Sequence, residues 1–144
     1  MKAFYAGSFD PFTIGHLYVA QQALNMFGAL VIAIGVNEQK KVEVPVSERI
    51  RKIRDRFVGM ENVEIISYSE LTAEAAKKNG AGVLVRGVRN ALDFEKEKEL
   101  ADINLEVFGL PTVFIPAPPE LGYVSSSMVR ELKHFGYDTK RFEV

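Results

Sequence analysis

The chain has 144 residues, 47% of them hydrophobic, with no cysteine and a formal net charge of −1. This length predicts a single domain, residues 1–144, with enough apolar side chains for a buried core. The balanced charge argues against nucleic acid or a membrane surface as partners, and the lack of cysteine excludes disulfides and thiolate metal sites. No apolar run approaches the ~20 residues of a membrane helix and no signal peptide is recognisable, so a cytoplasmic location is expected.

Short apolar strands alternate with helical patterns along the whole chain. The predicted strands are Lys2–Ala6, Leu30–Val36, Val63–Ser67, Gly82–Arg86 and Thr112–Ile115. The predicted helices are Ile14–Met26, Glu48–Phe57, Thr72–Asn79, Ala91–Leu105 and Ser126–Phe135. The strands are apolar on both faces, as in a parallel sheet covered by helices on each side. The sequence therefore predicts a single-domain α/β fold with a doubly wound, five-stranded parallel sheet.

The helix ends carry local signals. Ser47, after Pro45, marks the start of the second helix, and Asn90 with Asp93 resembles a capping box at the start of the fourth. The second helix also carries many basic residues, which predict a solvated face. These are Arg49, Arg51, Lys52, Arg54 and Arg56.

The first strand leads into a turn with the composition of a phosphate site. Gly7-Ser8-Phe9-Asp10-Pro11-Phe12 and Thr13-Ile14-Gly15-His16 run into the first helix. Backbone N–H groups at a helix start lack partners and attract phosphate, and glycine lets the backbone approach a ligand closely. Ser8 and His16 add side-chain donors. The turn is not a Walker loop, which requires GxxxxGK[ST].

Polar residues also follow the other predicted strands, at the sheet edge where α/β proteins bind ligands. They are Lys40 and Lys41, Ser69 to Thr72, Arg86 to Arg89, and Ser125 to Ser127 before the last helix. Two of these groups have an alternative reading, which is a solvated surface for the lysines and a helix cap, for which one serine suffices, for the serines. Because all of these groups are expected at the same edge of the sheet, a phosphate-binding site is favoured over the separate alternatives.

At this point the residues carry a family resemblance. The opening turn resembles the signature of the nucleotidyltransferase superfamily, which implies a Rossmann-like nucleotidyltransferase fold. Arg86-Gly87-Val88-Arg89, Asp93-Phe94-Glu95 and Glu97 narrow the resemblance to the bacterial phosphopantetheine adenylyltransferases. The match runs nearly end to end. The chain departs from that family at Lys96, where tyrosine is usual, and at Glu99, where glutamine is usual.

The resemblance implies transfer of the adenylyl group of ATP to 4′-phosphopantetheine, which yields dephospho-coenzyme A and pyrophosphate. It also implies Mg²⁺ as cofactor without a dedicated protein metal site, a homohexamer, and coenzyme A as a possible feedback ligand. Two alternatives remain open. One is a related nucleotidyltransferase with another phosphorylated acceptor, such as nicotinate mononucleotide. The other is a non-catalytic sensor of nucleotide or coenzyme A.

The resemblance assigns site residues as well. The catalytic set is Ser8, His16, Lys40 and Arg86, and the acceptor set is Ser8, Lys40, Thr72 and Arg86. The ATP set is Ser8, Phe9, His16, Gly87, Val88, Arg89, Glu97, Leu121, Gly122, Tyr123, Val124, Ser125, Ser126 and Ser127. A phosphate monoester with a second pKa of about 6 is largely ionised at neutral pH, so the reaction needs no base. His16 is therefore expected to act as a transition-state donor.

Overall fold

The computed structural model describes the whole chain except residues 38 and 40. The strands are β1 (Lys2–Gly7), β2 (Ala29–Gly35), β3 (Val63–Tyr68), β4 (Val83–Val88) and β5 (Thr112–Pro116). The α-helices are α1 (Ile14–Phe27), α2 (Val46–Arg56), α3 (Thr72–Lys78), α4 (Ala91–Phe108) and α5 (Ser126–His134). Two single turns of 3₁₀ helix lie at Pro119–Leu121 and Lys140–Phe142.

The five strands form one parallel sheet in the order β3-β2-β1-β4-β5. β1 lies at the centre, so Phe4 is level with Val31 on one side and Leu84 on the other. The chain winds outward from β1 in both directions, and the predicted doubly wound fold is confirmed. Such a reversal of strand order opens a crevice at the carboxyl ends of the two central strands, here β1 and β4.

Alternate residues of the strands pack under helices on opposite faces of the sheet, as the period of two requires. Tyr5, Ile32 and Val85 belong to one apolar cluster, which α1 and α2 cover. Phe4, Val31 and Leu84 belong to a second cluster on the other face, with alanines of α3. Both faces are therefore buried, which explains the continuous apolar composition of these strands.

The ends of several elements differ from the sequence-based prediction. α2 begins at Val46 with Pro45 as its N-cap and no side-chain hydrogen bond, so Ser47 is not the cap. Asn90 does cap α4, because its side chain accepts from the Asp93 N–H, but the Asp93 carboxylate accepts from Arg89. The reciprocal half of the capping box is therefore absent at this helix. β4 continues past Arg86 because Gly87 and Val88 pair with Ile115 and Pro116.

A third apolar cluster joins the last residues to the start of α5. Phe142 packs with Val124 and Val129. The Val144 N–H donates to the Phe12 carbonyl at 3.2 Å, and Thr13 forms an antiparallel bridge with Glu143. These contacts attach the C-terminal residues to the turn between β1 and α1. None of the helices seen in the described part of the chain has the length and hydropathy that crossing a membrane demands.

Candidate active site

The turn between β1 and α1 is held in place by side chains from two other helices. Arg130 of α5 donates from Nη1 to the Asp10 carbonyl at 2.6 Å, and Ser126 Oγ donates to the Pro11 carbonyl at 2.7 Å. Arg49 of α2 donates from Nη1 to the Ser8 carbonyl. Since three carbonyls of the turn are bound from α2 and α5, these helices fix the path of the turn.

Asp10 ties the loop after β2 to the same turn. Its two carboxylate oxygens accept from the N–H groups of Glu43, at 2.9 Å, and Val44, at 2.8 Å. Arg49 Nε donates to the Val44 carbonyl at 2.8 Å. Burial lowers the pKa of Arg49, and the nearby Asp10 charge opposes that shift. Arg49 is only 4% exposed, so the prediction of a fully solvated basic face on α2 is wrong at this residue.

His16 is held as a neutral imidazole in the first turn of α1. Thr13 caps the helix by accepting from the His16 N–H, and the Thr13 N–H donates to His16 Nδ1 at 2.9 Å. Because Nδ1 accepts a hydrogen bond, the proton of the neutral ring lies on Nε2. Burial, together with the charges of Arg86 and Arg89, lowers the pKa of His16 to about 3. At neutral pH the side chain is a hydrogen-bond donor through Nε2 and carries no charge.

A cavity of about 300 Å³ opens beside this histidine at the carboxyl ends of β1 and β4. Three segments far apart in sequence contribute to its walls. They supply the predicted residues Ser8, Phe9 and His16; Arg86, Gly87, Val88 and Arg89; and Leu121, Val124, Ser125, Ser126 and Ser127. The fold thus brings most of the predicted ATP set to one place.

Three members of the ATP set lie elsewhere. Gly122 and Tyr123 are outside the cavity walls, and Tyr123 is 60% exposed with its ring nearly perpendicular to that of Phe142. Glu97 accepts from Arg86 Nε at 2.9 Å and from Nη2 at 2.7 Å, in a bidentate pair. In this conformation both oxygens of the Glu97 carboxylate are bound to Arg86. Its predicted contact with ATP stays a prediction.

Arg86 stands between two cavities. It lines the first one and also a narrower cavity of about 140 Å³ next to α4, which Glu97 and Asn104 line as well. Burial acts to lower the pKa of Arg86, but the Glu97 carboxylate outweighs it and the pKa ends above its usual value. Arg86 Nη1 also donates to the Ala6 carbonyl. The fork is thus oriented by Glu97 and β1, with two N–H bonds left for a ligand.

The remaining acceptor residues border the same region. Thr72 lines the narrow cavity and also a more open one of about 540 Å³, which it shares with Ser8. Its Oγ1 lies 2.9 Å from the Tyr68 hydroxyl. Ser8 therefore joins the first cavity to the open one, and Arg86 joins the first to the narrow one. Lys40 lies outside the described residues.

The serines at the start of α5 divide between structural and free roles. Ser125 Oγ caps the helix by accepting from the Met128 N–H at 3.1 Å, and Ser126 Oγ is bound to the Pro11 carbonyl. Ser127 Oγ contacts only Ser125 Oγ, at 3.1 Å, among the residues the structure describes. Only Ser125 caps the helix, and the predicted contacts of Ser125 and Ser126 with ATP stay predictions. The third hydroxyl remains available to a ligand.

Sequence reasoning missed several residues of this site. Arg130 lines the first cavity one helical turn after Ser126, a spacing from which its position was predictable. Tyr5 lines it from within an apolar strand, and nothing in its sequence context indicates this. The roles of Asp10 and Arg49 depend on α2 packing against the turn, which local sequence does not specify.

The donors around the first cavity suit anions. In the described part of the chain, no group of three or more His, Asp or Glu side chains is arranged to hold a metal ion. The Asp10 carboxylate is already occupied by two backbone N–H groups. A hard cation such as Mg²⁺ would therefore depend on phosphate oxygens of a bound ligand for most of its coordination.

Comparisons with known proteins agree with this geometry. Residues 4–132 match the cytidylyltransferase-like family model. The phosphopantetheine adenylyltransferase of Porphyromonas gingivalis is 41% identical over 140 residues, covering 97% of this chain and 92% of the relative. The phosphopantetheine adenylyltransferase of Phocaeicola vulgatus is 41% identical over 141 residues, covering 98% of this chain and 93% of the relative.

A solved structure shares the fold at low sequence identity. The bifunctional NMN adenylyltransferase/ADP ribose pyrophosphatase from Francisella tularensis superposes with a TM-score of 0.77 at 14% identity, covering 99% of this chain and 44% of that one. This similarity shows the Rossmann-like nucleotidyltransferase fold. The sequence matches are closer and extend over almost the full length of both partners. The chain belongs to the phosphopantetheine adenylyltransferase family, and residues 4–132 carry its cytidylyltransferase-like domain.

Proposed function

We propose that this protein transfers the adenylyl group of ATP to 4′-phosphopantetheine and releases dephospho-coenzyme A and pyrophosphate. The observation that carries the proposal is the position of neutral His16 in the first cavity. Arg86 lines the same cavity and also the narrow cavity next to α4. Transfer of an adenylyl group between two substrates requires adjoining binding sites, so that the two reacting phosphates meet. The relatives named phosphopantetheine adenylyltransferase support this choice of substrates.

The chemistry is an in-line displacement at the α-phosphorus of ATP. An oxygen of the acceptor phosphate forms a bond to that phosphorus, and the bond from it to the bridging oxygen of pyrophosphate breaks. The acceptor oxygen is already ionised, so no proton has to be removed. Negative charge grows on the oxygens of the transferring group. His16 Nε2–H donates to one of them, and a preorganised donor of this kind stabilises the transition state more than the ground state.

The other residues position the two substrates. Arg86 offers its two remaining N–H bonds to the acceptor phosphate, together with Ser8 and Lys40, and Thr72 contacts the pantetheine arm. On the ATP side we assign Phe9, Gly87, Val88, Arg89, Glu97 and residues 121–127. Arg130, which already binds the Asp10 carbonyl, adds a cation to that wall. Aligning the two phosphates lowers the entropic part of the barrier.

Mg²⁺ belongs to this proposal as a charge-neutralising ion on the phosphates of ATP.

We also propose a homohexamer in the cytoplasm, with coenzyme A as a feedback ligand. Exposed apolar residues on α4 support self-association, since large apolar patches mark interaction surfaces. These are Leu92, Phe94, Leu100, Ile103, Leu105 and Val107. Light scattering coupled to size-exclusion chromatography tests the assembly, and a monomer at micromolar concentration would contradict it.

Pyrophosphate release tests the reaction. Purified protein is mixed with ATP and Mg²⁺, and with 4′-phosphopantetheine, nicotinate mononucleotide or no acceptor. We expect release with 4′-phosphopantetheine only, with dephospho-coenzyme A identified by mass spectrometry, and loss of release with EDTA. Release with nicotinate mononucleotide instead would assign another acceptor. Tight binding of ATP without release from any acceptor would indicate a sensor.

A further inference from the structure

One polar group in the first cavity has no assigned role. Tyr5 lies in the middle of β1, is only 4% exposed, and lines the cavity together with Ser8, His16 and Arg86. Its ring packs edge-on against Phe9, with centroids 5.1 Å apart. The ring is therefore fixed by the core on one side while the residue borders the ligand space on the other.

The Tyr5 hydroxyl has no hydrogen-bond partner among the residues the structure describes, in contrast to the Tyr68 hydroxyl, which pairs with Thr72. Yet it is not sealed inside protein. In the same part of the chain, Thr112 Oγ1 is the one buried side-chain polar atom that is both fully enclosed and unpaired. The unpaired Tyr5 hydroxyl is therefore not fully enclosed, and because Tyr5 lines the first cavity, the hydroxyl opens onto that cavity. A largely buried hydroxyl without a partner carries a desolvation cost that a ligand can relieve.

The surroundings indicate which ligand group it would meet. Burial raises the pKa of Tyr5 well above its usual value, Arg86 acts against that shift and Glu97 adds to it, so the hydroxyl keeps its proton at all physiological pH. The walls of the same cavity include Arg86 and His16, and no Asp or Glu is among the lining residues that the structure describes. A protonated hydroxyl among donors and a cation complements an anionic oxygen.

We propose that the Tyr5 hydroxyl donates a hydrogen bond to a phosphate oxygen of a bound substrate, which makes it an additional ligand-contacting residue of this site. The proposal rests on the proposed function, since the phosphate belongs either to ATP or to the acceptor. Because no described side chain depends on this hydroxyl, its contribution appears in binding and turnover and not in folding. A purely structural tyrosine has the opposite signature.

The test is the Tyr5→Phe variant, which removes one oxygen and keeps the ring. We expect an unchanged or slightly raised melting temperature and a fall of about 10- to 100-fold in kcat/KM, the effect of losing one hydrogen bond to a charged group. Tyr18→Phe is the matched control, because Tyr18 packs against the same core cluster from α1 outside the cavity. It should keep wild-type kinetics.

Equilibrium binding then identifies the phosphate. Calorimetry with a non-hydrolysable ATP analogue and Mg²⁺, and separately with 4′-phosphopantetheine, assigns the contact to whichever ligand binds Tyr5→Phe more weakly. A loss in kcat alone assigns it to the transferring phosphate in the transition state. Affinities and rate within twofold of wild type overturn the proposal, and so does a melting temperature lowered by more than about 5 °C. If wild-type protein forms no dephospho-coenzyme A, the proposed function fails, and binding of the ATP analogue still tests Tyr5.

Discussion

The backbone N–H of Thr13 donates to Nδ1 of His16 at 2.9 Å, and this contact sets the chemistry of the histidine. An N–H group can only donate, so Nδ1 must be unprotonated and Nε2 must carry the proton. The same threonine caps α1 through its hydroxyl. One residue thus starts the helix and fixes the tautomer of the side chain that faces the cavity.

Replacing His16 with alanine should lower kcat by about 10²–10³-fold, because it removes a preorganised transition-state donor. ATP binding should change much less, since the contact strengthens only as charge develops. Pyrophosphate release measures the rate and calorimetry the affinity. A variant with near-normal turnover would remove His16 from the mechanism.

The neutral state of His16 also predicts a dependence of stability on pH. Its folded-state pKa is about 3 against about 6.5 when unfolded, so between these values the unfolded chain binds the extra proton. The contribution of neutral His16 to the free energy of unfolding should therefore be fully present above pH 6.5 and decline as the pH falls toward 3. Urea denaturation at pH 7, 5.5 and 4 should show a smaller decline for His16→Gln than for wild type. His134→Gln, at an exposed position on α5, should decline as wild type does.

Asp10→Asn should destabilise the protein by about 1–3 kcal/mol. The carboxylate is buried and accepts from two backbone N–H groups, and an amide nitrogen in place of one oxygen leaves one of them unsatisfied. Asp55→Asn is the matched control, because the contact of Asp55 within the described part of the chain is an exposed ion pair with Arg51, and its loss should cost less than about 1 kcal/mol. Equal losses in the two variants, measured by urea denaturation, would contradict a structural role for the Asp10 carboxylate.

Gly87→Ala should be destabilising because of one close approach. A Cβ at this position would lie 2.8 Å from Val19 Cγ2, where α1 packs on β4. Overpacking of this kind costs about 1–3 kcal/mol. In a Val19→Ala background the same change should cost clearly less, since the opposing methyl groups are gone. Additive losses in the double-mutant cycle would show that the contact is not the cause.

Glu97→Gln should weaken binding of 4′-phosphopantetheine by about tenfold, since a neutral amide cannot accept both hydrogen bonds from the Arg86 fork. Calorimetry with each substrate alone measures the effect. A larger loss for the ATP analogue than for the acceptor would show that the proposed Glu97–ATP contact contributes more to binding than the orientation of Arg86 by Glu97. Glu95→Gln, two residues away on α4 at an exposed position, is the control and should bind both ligands as wild type does.

Much of the architecture was predictable because its causes are local. Every predicted strand and helix exists, since apolar strand composition and helix caps act over a few residues. Errors arose where a distant partner decides the outcome. β4 is longer than predicted because β5 pairs with Gly87 and Val88, and Arg49 is buried because α2 docks against the turn at Ser8.

The sequence by itself determined the parallel α/β class, the helix start that carries His16, and the resemblance that names the family. Only the tertiary structure decided which groups meet. The order β3-β2-β1-β4-β5 places the ends of β1 and β4 side by side, and α5 returns to bind the opening turn through Ser126 and Arg130. The pairing of Arg86 with Glu97 and the position of Tyr5 at the cavity follow from that packing. Strand order and burial are set by the free energy of the whole core, which no local pattern encodes.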